Sequence, residues 1–240
     1  MQVLVTGSSS GIGCATAELF LARGHEVVGF DVAPASISHA AYTHYVVDVR
    51  DFASFPTDVA PEVIVNNAGV QGTPDDIAVN LTGTINVTEA YAFCGTRVGE
   101  KNPLTPANAL AARPAPHIRA VVNVGSASAH TGSEFPAYAA SKGGILAYTK
   151  NVAQRLAPQA TCNSIDPGGV LTELNRPVMD DAELWGRIMD LTPLKRWATP
   201  EEIAEWIYFV AVTNRFMTGQ SLLIDGGEAG RTEFVWPQES

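Results

Sequence analysis

Short apolar runs alternate along this chain with longer stretches in which apolar positions recur at helical spacing. The runs at 2–6, 26–31, 43–49, 63–67, 118–126, 160–165 and 221–225 are rich in Val and Ile and predict strands. Several are continuous rather than alternating, as expected of strands covered on both faces. Helical patterns fall over 12–23, 75–93, 137–156, 180–191 and 200–212. Strands that alternate with helices imply a parallel sheet with right-handed crossovers. Neither a repeat nor a linker divides the chain, so a single α/β domain over 1–240 is expected. Two stretches break the rhythm. Residues 95–117 are rich in Gly, Pro, Ala and Asn, and 172–197 lie between Pro167-Gly-Gly169 and Thr199-Pro200. Long irregular segments in a compact domain are commonly functional or mobile. The first is read as a surface insertion.

Composition narrows the class of partner. With 240 residues, 46% hydrophobic and 17% charged, the chain can bury a sizeable core and is not of disordered composition. Its formal net charge of -10 repels phosphate backbones and anionic membrane surfaces, so neither is expected as a partner. No run approaches the roughly 18 apolar residues that span a bilayer. No basic stretch precedes an apolar one at the N-terminus, so no signal peptide and a cytoplasmic location are expected. Cys14, Cys94 and Cys162 are far apart and lack metal-ligand spacing, as do the five His.

Chemistry enters at the end of the first predicted strand, in Thr6-Gly7-Ser-Ser-Ser-Gly11-Ile-Gly13. Glycines between a strand and a helix allow a tight turn and the close approach of a pyrophosphate, which then meets the helix N-terminus. The second strand ends at Asp31, placed to accept from the ribose hydroxyls of an adenosine. The same carboxylate would face a 2′-phosphate, and two unit charges about 4 Å apart repel by roughly 4 kcal/mol at an effective dielectric near 20. No Lys or Arg at 8–10 or 32–35 offsets this, so NAD is expected over NADP. Further on, Tyr138 and Lys142 stand one helical turn apart and leave the same face. A phenol with a pKa of about 10 exchanges protons poorly near neutrality, and a fixed ammonium beside it favours the phenolate. The pair is expected to be a tuned acid/base.

Together these residues resemble the classical short-chain dehydrogenase/reductase family over nearly the whole chain. Gly7, Ser9, Ser10, Gly11, Ile12 and Gly13 resemble its cofactor loop, and Asp48-Val49 its adenine-contacting pair. Asn67, Ala68 and Gly69, in Asn66-Asn-Ala-Gly69, resemble the motif that supports the cofactor cleft. Asn80, Ser126, Tyr138 and Lys142 match the catalytic tetrad. Pro167, Gly168, Val170 and Thr172 match the turn beside the nicotinamide. Two departures stand out: only ten residues separate Gly69 from Asn80, a short span for the family, and the region 93–117 is long. The resemblance implies a Rossmann-type doubly wound domain with a seven-stranded parallel sheet and helices on both faces. It also implies a homo-oligomer, tetramer or dimer, and a lid over a small alcohol or ketone formed by about 172–197.

Hydride transfer to a ketone leaves negative charge on its oxygen, which aligned donors and a proton must meet. Ser126 is expected to donate a hydrogen bond and Tyr138 the proton. By resemblance, Lys142 also holds the nicotinamide ribose, and Asn80 anchors a water that links Lys142 to solvent. Ser128, His130, Gly169 and Val170 are candidate substrate contacts. So are Leu174, Val178, Met179, Leu184, Trp185, Ile188, Met189 and Leu191, with Arg176 and Arg187 as anion contacts. His130 is read as simply solvated. The leading expectation is an NAD(H)-dependent alcohol dehydrogenase or ketone reductase. The alternatives are an NADPH-dependent 3-oxoacyl-acyl-carrier-protein reductase and a non-catalytic dinucleotide sensor.

Overall fold

The computed structural model describes residues 1–94 and 113–231. The expected insertion at 95–117 therefore lies largely outside the described residues, as does the tail beyond residue 231. The described strands, in chain order, are β1 (Gln2–Thr6), β2 (Glu26–Asp31), β3 (Tyr42–Val46), β4 (Val63–Asn66), β5 (Phe93–Cys94), β6 (Arg113–Pro114), β7 (Ala120–Val124), β8 (Thr161–Pro167) and β9 (Ser221–Ile224). The helices are α1 (Gly11–Ala22), α2 (Thr84–Tyr91), α3 (Ser128–Thr131), α4 (Pro136–Leu156), α5 (Arg176–Met179), α6 (Ala182–Leu191) and α7 (Pro200–Tyr208). Seven strands form one sheet in the order β3-β2-β1-β4-β7-β8-β9, with every pairing parallel. The two short strands β5 and β6 pair antiparallel beside it.

The Val/Ile runs are continuous because the sheet is covered on both sides. Along β1, Leu4 joins Val28, Ile64 and Val121 in a core roofed by Val87 and Tyr91 of α2 and Val152 and Leu156 of α4. Its neighbours Val3 and Val5 point the other way. They join Val27, Val65 and Val122 under Phe20 of α1 and Ile203 and Ile207 of α7. Each such side chain, fully buried, contributes about 1.5–3 kcal/mol over an exposed one.

Strand ends follow the partner rather than the apolar run. The run at 118–126 pairs only over β7, the length its neighbours β4 and β8 offer. The helix expected over 75–93 opens with a wide π-helical segment, Ile77–Gly83, before it tightens into α2. There the Thr84 hydroxyl donates to the Asn80 carbonyl at 2.7 Å, a back-bond that bends helices. Within 172–197 the helical pattern expected over 180–191 is present as Ala182–Leu191, and the stretch before it, expected to be irregular, also holds short helical turns. A short 3-10 turn, Glu173–Asn175, leads into α5 and then α6, which the Asp181 side chain caps.

Candidate active site

The strand order places a topological switch between β1 and β4, since the chain builds outward from β1 in one direction and from β4 in the other. Loops that leave the carboxyl ends at such a point diverge and open a crevice. A cleft of about 1160 Å³ lies there, lined by the loops after β1, β2, β4, β7 and β8. Thr6 fixes its floor. Its hydroxyl oxygen accepts from the Asn67 and Ala68 amides at 2.9 Å each, while Asn67 Nδ2 donates to the Thr6 carbonyl at 3.0 Å.

The glycine loop has the form a pyrophosphate needs. A Cβ on Gly13 would run into the Gly7 carbonyl oxygen, so only glycine lets α1 start this close to the loop. Ser10 precedes α1 without a side-chain cap, which leaves the first-turn amides to an outside acceptor. The Ser9 hydroxyl is buried without a partner. Asp31 closes the loop from β2: its Oδ2 accepts from the Ser9 amide and its Oδ1 from the Ala33 amide, both at 2.9 Å. These features fit a dinucleotide.

On the opposite wall, Ser126 follows β7, and Tyr138 and Lys142 project from α4. Lys142 is buried, and its Nζ donates to the Val124 carbonyl at 2.9 Å. Its Nζ sits 5.7 Å from the centre of the Tyr138 ring. Burial pulls the Lys142 ammonium down to about 8, against the upward pull of the Asp166 and Asp76 carboxylates. Burial pushes the Tyr138 phenol up, while a hydrogen bond with Ser126 acts in the opposite direction. The lowering expected from Lys142 is not found in this structure, where burial raises the phenol. The phenol stays protonated near neutrality, ready to donate.

Two family models match the chain. One, described as the NAD dependent epimerase/dehydratase family, covers residues 3–99, and the other, described as enoyl-(acyl carrier protein) reductase, covers residues 103–228. A 2-(R)-hydroxypropyl-CoM dehydrogenase of Xanthobacter autotrophicus is 30% identical, over 93% of this chain and 96% of its own. The chain belongs to the classical short-chain dehydrogenase/reductase family. A 3-oxoacyl-(acyl-carrier-protein) reductase of Vibrio harveyi is 29% identical over 93% of this chain and 95% of its own. The ligand-free aldohexose dehydrogenase of Thermoplasma acidophilum superposes with a TM-score of 0.78 at 26% identity, covering 99% of this chain and 97% of that one.

In this dehydrogenase/reductase the cleft gathers most of the residues expected from sequence. Gly7, Ser10, Gly11, Ile12, Asp31, Asp48, Val49, Asn67, Ala68, Gly69, Ser126, Tyr138, Lys142, Pro167, Gly168, Val170 and Thr172 all line it. Ser9, Gly13 and Asn80 stand just behind the lining. The Asn80 side chain is fully engaged: Oδ1 accepts from the Val70 amide at 2.8 Å, and Nδ2 donates to the Val70 carbonyl at 2.9 Å and to Ser141 Oγ at 3.1 Å. A Cβ on Gly69 would lie 3.2 Å from Asn80 Oδ1 and 3.7 Å from Lys142 Nζ, so Asn80 braces the wall beside Lys142. Asp48 is taken by Arg50, which forks onto it and reaches Asp75 at 3.0 Å.

The substrate end differs more. Of the lid residues named from sequence, Leu174, Val178 and Ile188 face the cleft, with Trp197 beside them. Met179, Leu184, Trp185, Met189 and Leu191 lie outside its lining, and Trp185 instead packs edge-on against Trp197, ring centres 4.9 Å apart. Arg176 is bound to Glu173 and is no free anion contact. His130 is not simply solvated, because it pairs with the buried Asp166. Sequence reading passed over Asp166 and Asp76. For Asp166 the signal was available: an acid inside a strand buried on both faces needs a partner.

Proposed function

We propose that this chain is an NAD(H)-dependent oxidoreductase that interconverts a secondary alcohol and its ketone, with Tyr138 as general acid and base. The observation that carries the reading is the convergence of Ser126, Tyr138 and Lys142 on one wall of a cleft whose opposite end is a glycine loop closed by Asp31. A bound nicotinamide dinucleotide supplies or accepts the hydride. The loop at 7–13, Asp31, Asp48-Val49, Asn67–Gly69 and the turn at 167–172 would hold it. In reduction the Ser126 hydroxyl donates to the carbonyl oxygen and Tyr138 delivers the proton. Lys142 places a positive charge against the phenol and steadies the phenolate that remains. In oxidation the same groups run in reverse.

The preference for NAD rests on Asp31. Its carboxylate is fixed by two backbone amides at the end of β2, where it would face a 2′-phosphate. Of the cations that line the cleft, Arg50 is already shared between Asp48 and Asp75, and Lys142 lies at the catalytic wall. The similarity to the Vibrio reductase favours a second reading, reduction of a 3-oxoacyl thioester. Against it stand Asp31 and a cleft lining that includes Glu134 and Glu228, which an anionic carrier would meet.

A panel of alcohols, ketones and 3-oxoacyl thioesters, followed by the absorbance of the reduced nicotinamide, tests the reading. The expected outcome is turnover of alcohols or ketones with kcat/KM at least ~10²-fold higher for NADH than NADPH, since roughly 4 kcal/mol of repulsion exceeds two decades. Equal or better use of NADPH would sink the cofactor assignment. Tight NAD binding without turnover of any compound would leave a sensor instead.

A further inference from the structure

Of the buried acids, Asp166 stands closest behind the Ser126 strand end. Asp166 lies on β8 with no exposure to solvent. A carboxylate in such a place is costly unless it is hydrogen-bonded. Asp166 is held on both oxygens: the Ser164 hydroxyl donates to Oδ1, and His130 Nε2 lies 2.7 Å from Oδ2. Its Oδ1 also rests against Gly125, where any Cβ would run into it. Gly125 stands between two residues of the catalytic wall. On one side is Val124, whose carbonyl receives Lys142, and on the other is Ser126, which lines the cleft with Tyr138. The His130 side chain, 30% exposed, sits on α3, the single turn that follows Ser126. The pair therefore pins the backbone on both sides of Ser126, from β8 below and from α3 beyond.

We propose that Asp166 and His130 form a positioning dyad that holds the Ser126 strand end in register with Tyr138 and Lys142. The inference rests on the reaction proposed above. The groups that face Lys142 are Asp166 from β8, Asp76 from the head of the Asn80 helix and Tyr138 from its own helix. Those that face Asp166 are Ser164, His130 and Lys142. Asp76 is itself bound to the Gly72 and Thr73 amides at 3.0 Å each. Burial draws the Lys142 value down and the two carboxylates hold it up. Removing the Asp166 charge lowers it further, so Lys142 loses its proton at a lower pH and the alkaline limb of ketone reduction moves down.

The test compares His130→Ala, His130→Gln and Asp166→Asn with the wild type for kcat, KM and the pH profile of reduction, with dinucleotide binding as a check on folding. His130→Ala is expected to lose ~10-fold or more in kcat, in the range of residues that orient others at a site, with KM for the dinucleotide little changed. The amide nitrogen of His130→Gln can replace Nε2 as donor and should restore most of the rate. Asp166→Asn should move the alkaline limb to lower pH. Wild-type kcat in His130→Ala, or a limb that stays in place in a folded Asp166→Asn, overturns the dyad while the reaction stands. If Asp166→Asn does not fold, the two His130 variants decide, and equal loss in both counts against the dyad. A wild type without turnover overturns the proposed reaction and the dyad with it.

Discussion

Lys142 is the residue at which burial and charge conflict most directly. Its ammonium is held near 8, against an ordinary 10.5, because water is excluded around it. Below about 8 the folded and unfolded chains both carry the proton, and the cost of burying the charge is present in full. Between about 8 and 10.5 the unfolded chain binds more protons, so this residue's contribution to stability rises with pH. Lys142→Met is therefore expected to melt above the wild type near neutrality, with the gap closing as pH rises through that window. Thermal melts of both proteins across pH check this, and a gap that does not change with pH would contradict it. The spacing of Tyr138 and Lys142 was legible in sequence because both leave one helix face. The direction of the Tyr138 shift was not, since desolvation depends on what covers the ring. Asp166 was passed over and His130 read as solvated because their contact joins β8 to the turn after β7, a proximity that no local pattern reports.

Among the elements, α2 and α4 are tied by a buried ion pair. Glu89 accepts from both Arg155 terminal nitrogens, at 2.6 and 2.8 Å, and from the Tyr148 hydroxyl at 2.9 Å. The guanidinium lies 3.9 Å from the centre of the Phe93 ring. Removal of one partner strands the other charge, so Arg155→Ala is expected to cost about 3–5 kcal/mol in denaturant unfolding. A loss below ~1 kcal/mol would show that Glu89 finds water or another donor. Element type was well marked in the chain: β1 and β2 begin and end where their Val-rich runs do, since the Gly loop and Asp31 terminate them. Two features were not visible. The wide turns at Ile77–Gly83 go with the Thr84 hydroxyl folding back on the Asn80 carbonyl, and the short turns Glu173–Asn175 and Arg176–Met179 lie ahead of the helical pattern at 180–191.

At the scale of the whole molecule, the function depends on which loops meet at the carboxyl edge of the sheet. Alternating strand and helix patterns imply a parallel sheet, yet they do not order its strands. The resemblance carried by the glycine loop, Asn67–Gly69, Ser126 and Tyr138 implied a doubly wound sheet of seven parallel strands, and seven parallel strands form it. The span between Gly69 and Asn80, short for the family, is closed by Asp76, which caps the Gly72-Thr73 turn and lets Asn80 reach Val70. Among the described residues no helix is long and apolar enough to cross a membrane. The proposed reaction turns on one proton, the one Tyr138 gives and takes. The most direct measurement is kcat of Tyr138→Phe beside the wild type on whichever alcohol or ketone the wild type turns over, with dinucleotide affinity measured on the same samples. The expected result is a fall of ~10²–10⁴ in kcat, the usual worth of a general acid, with affinity preserved. A Tyr138→Phe protein that keeps near-normal kcat would contradict it.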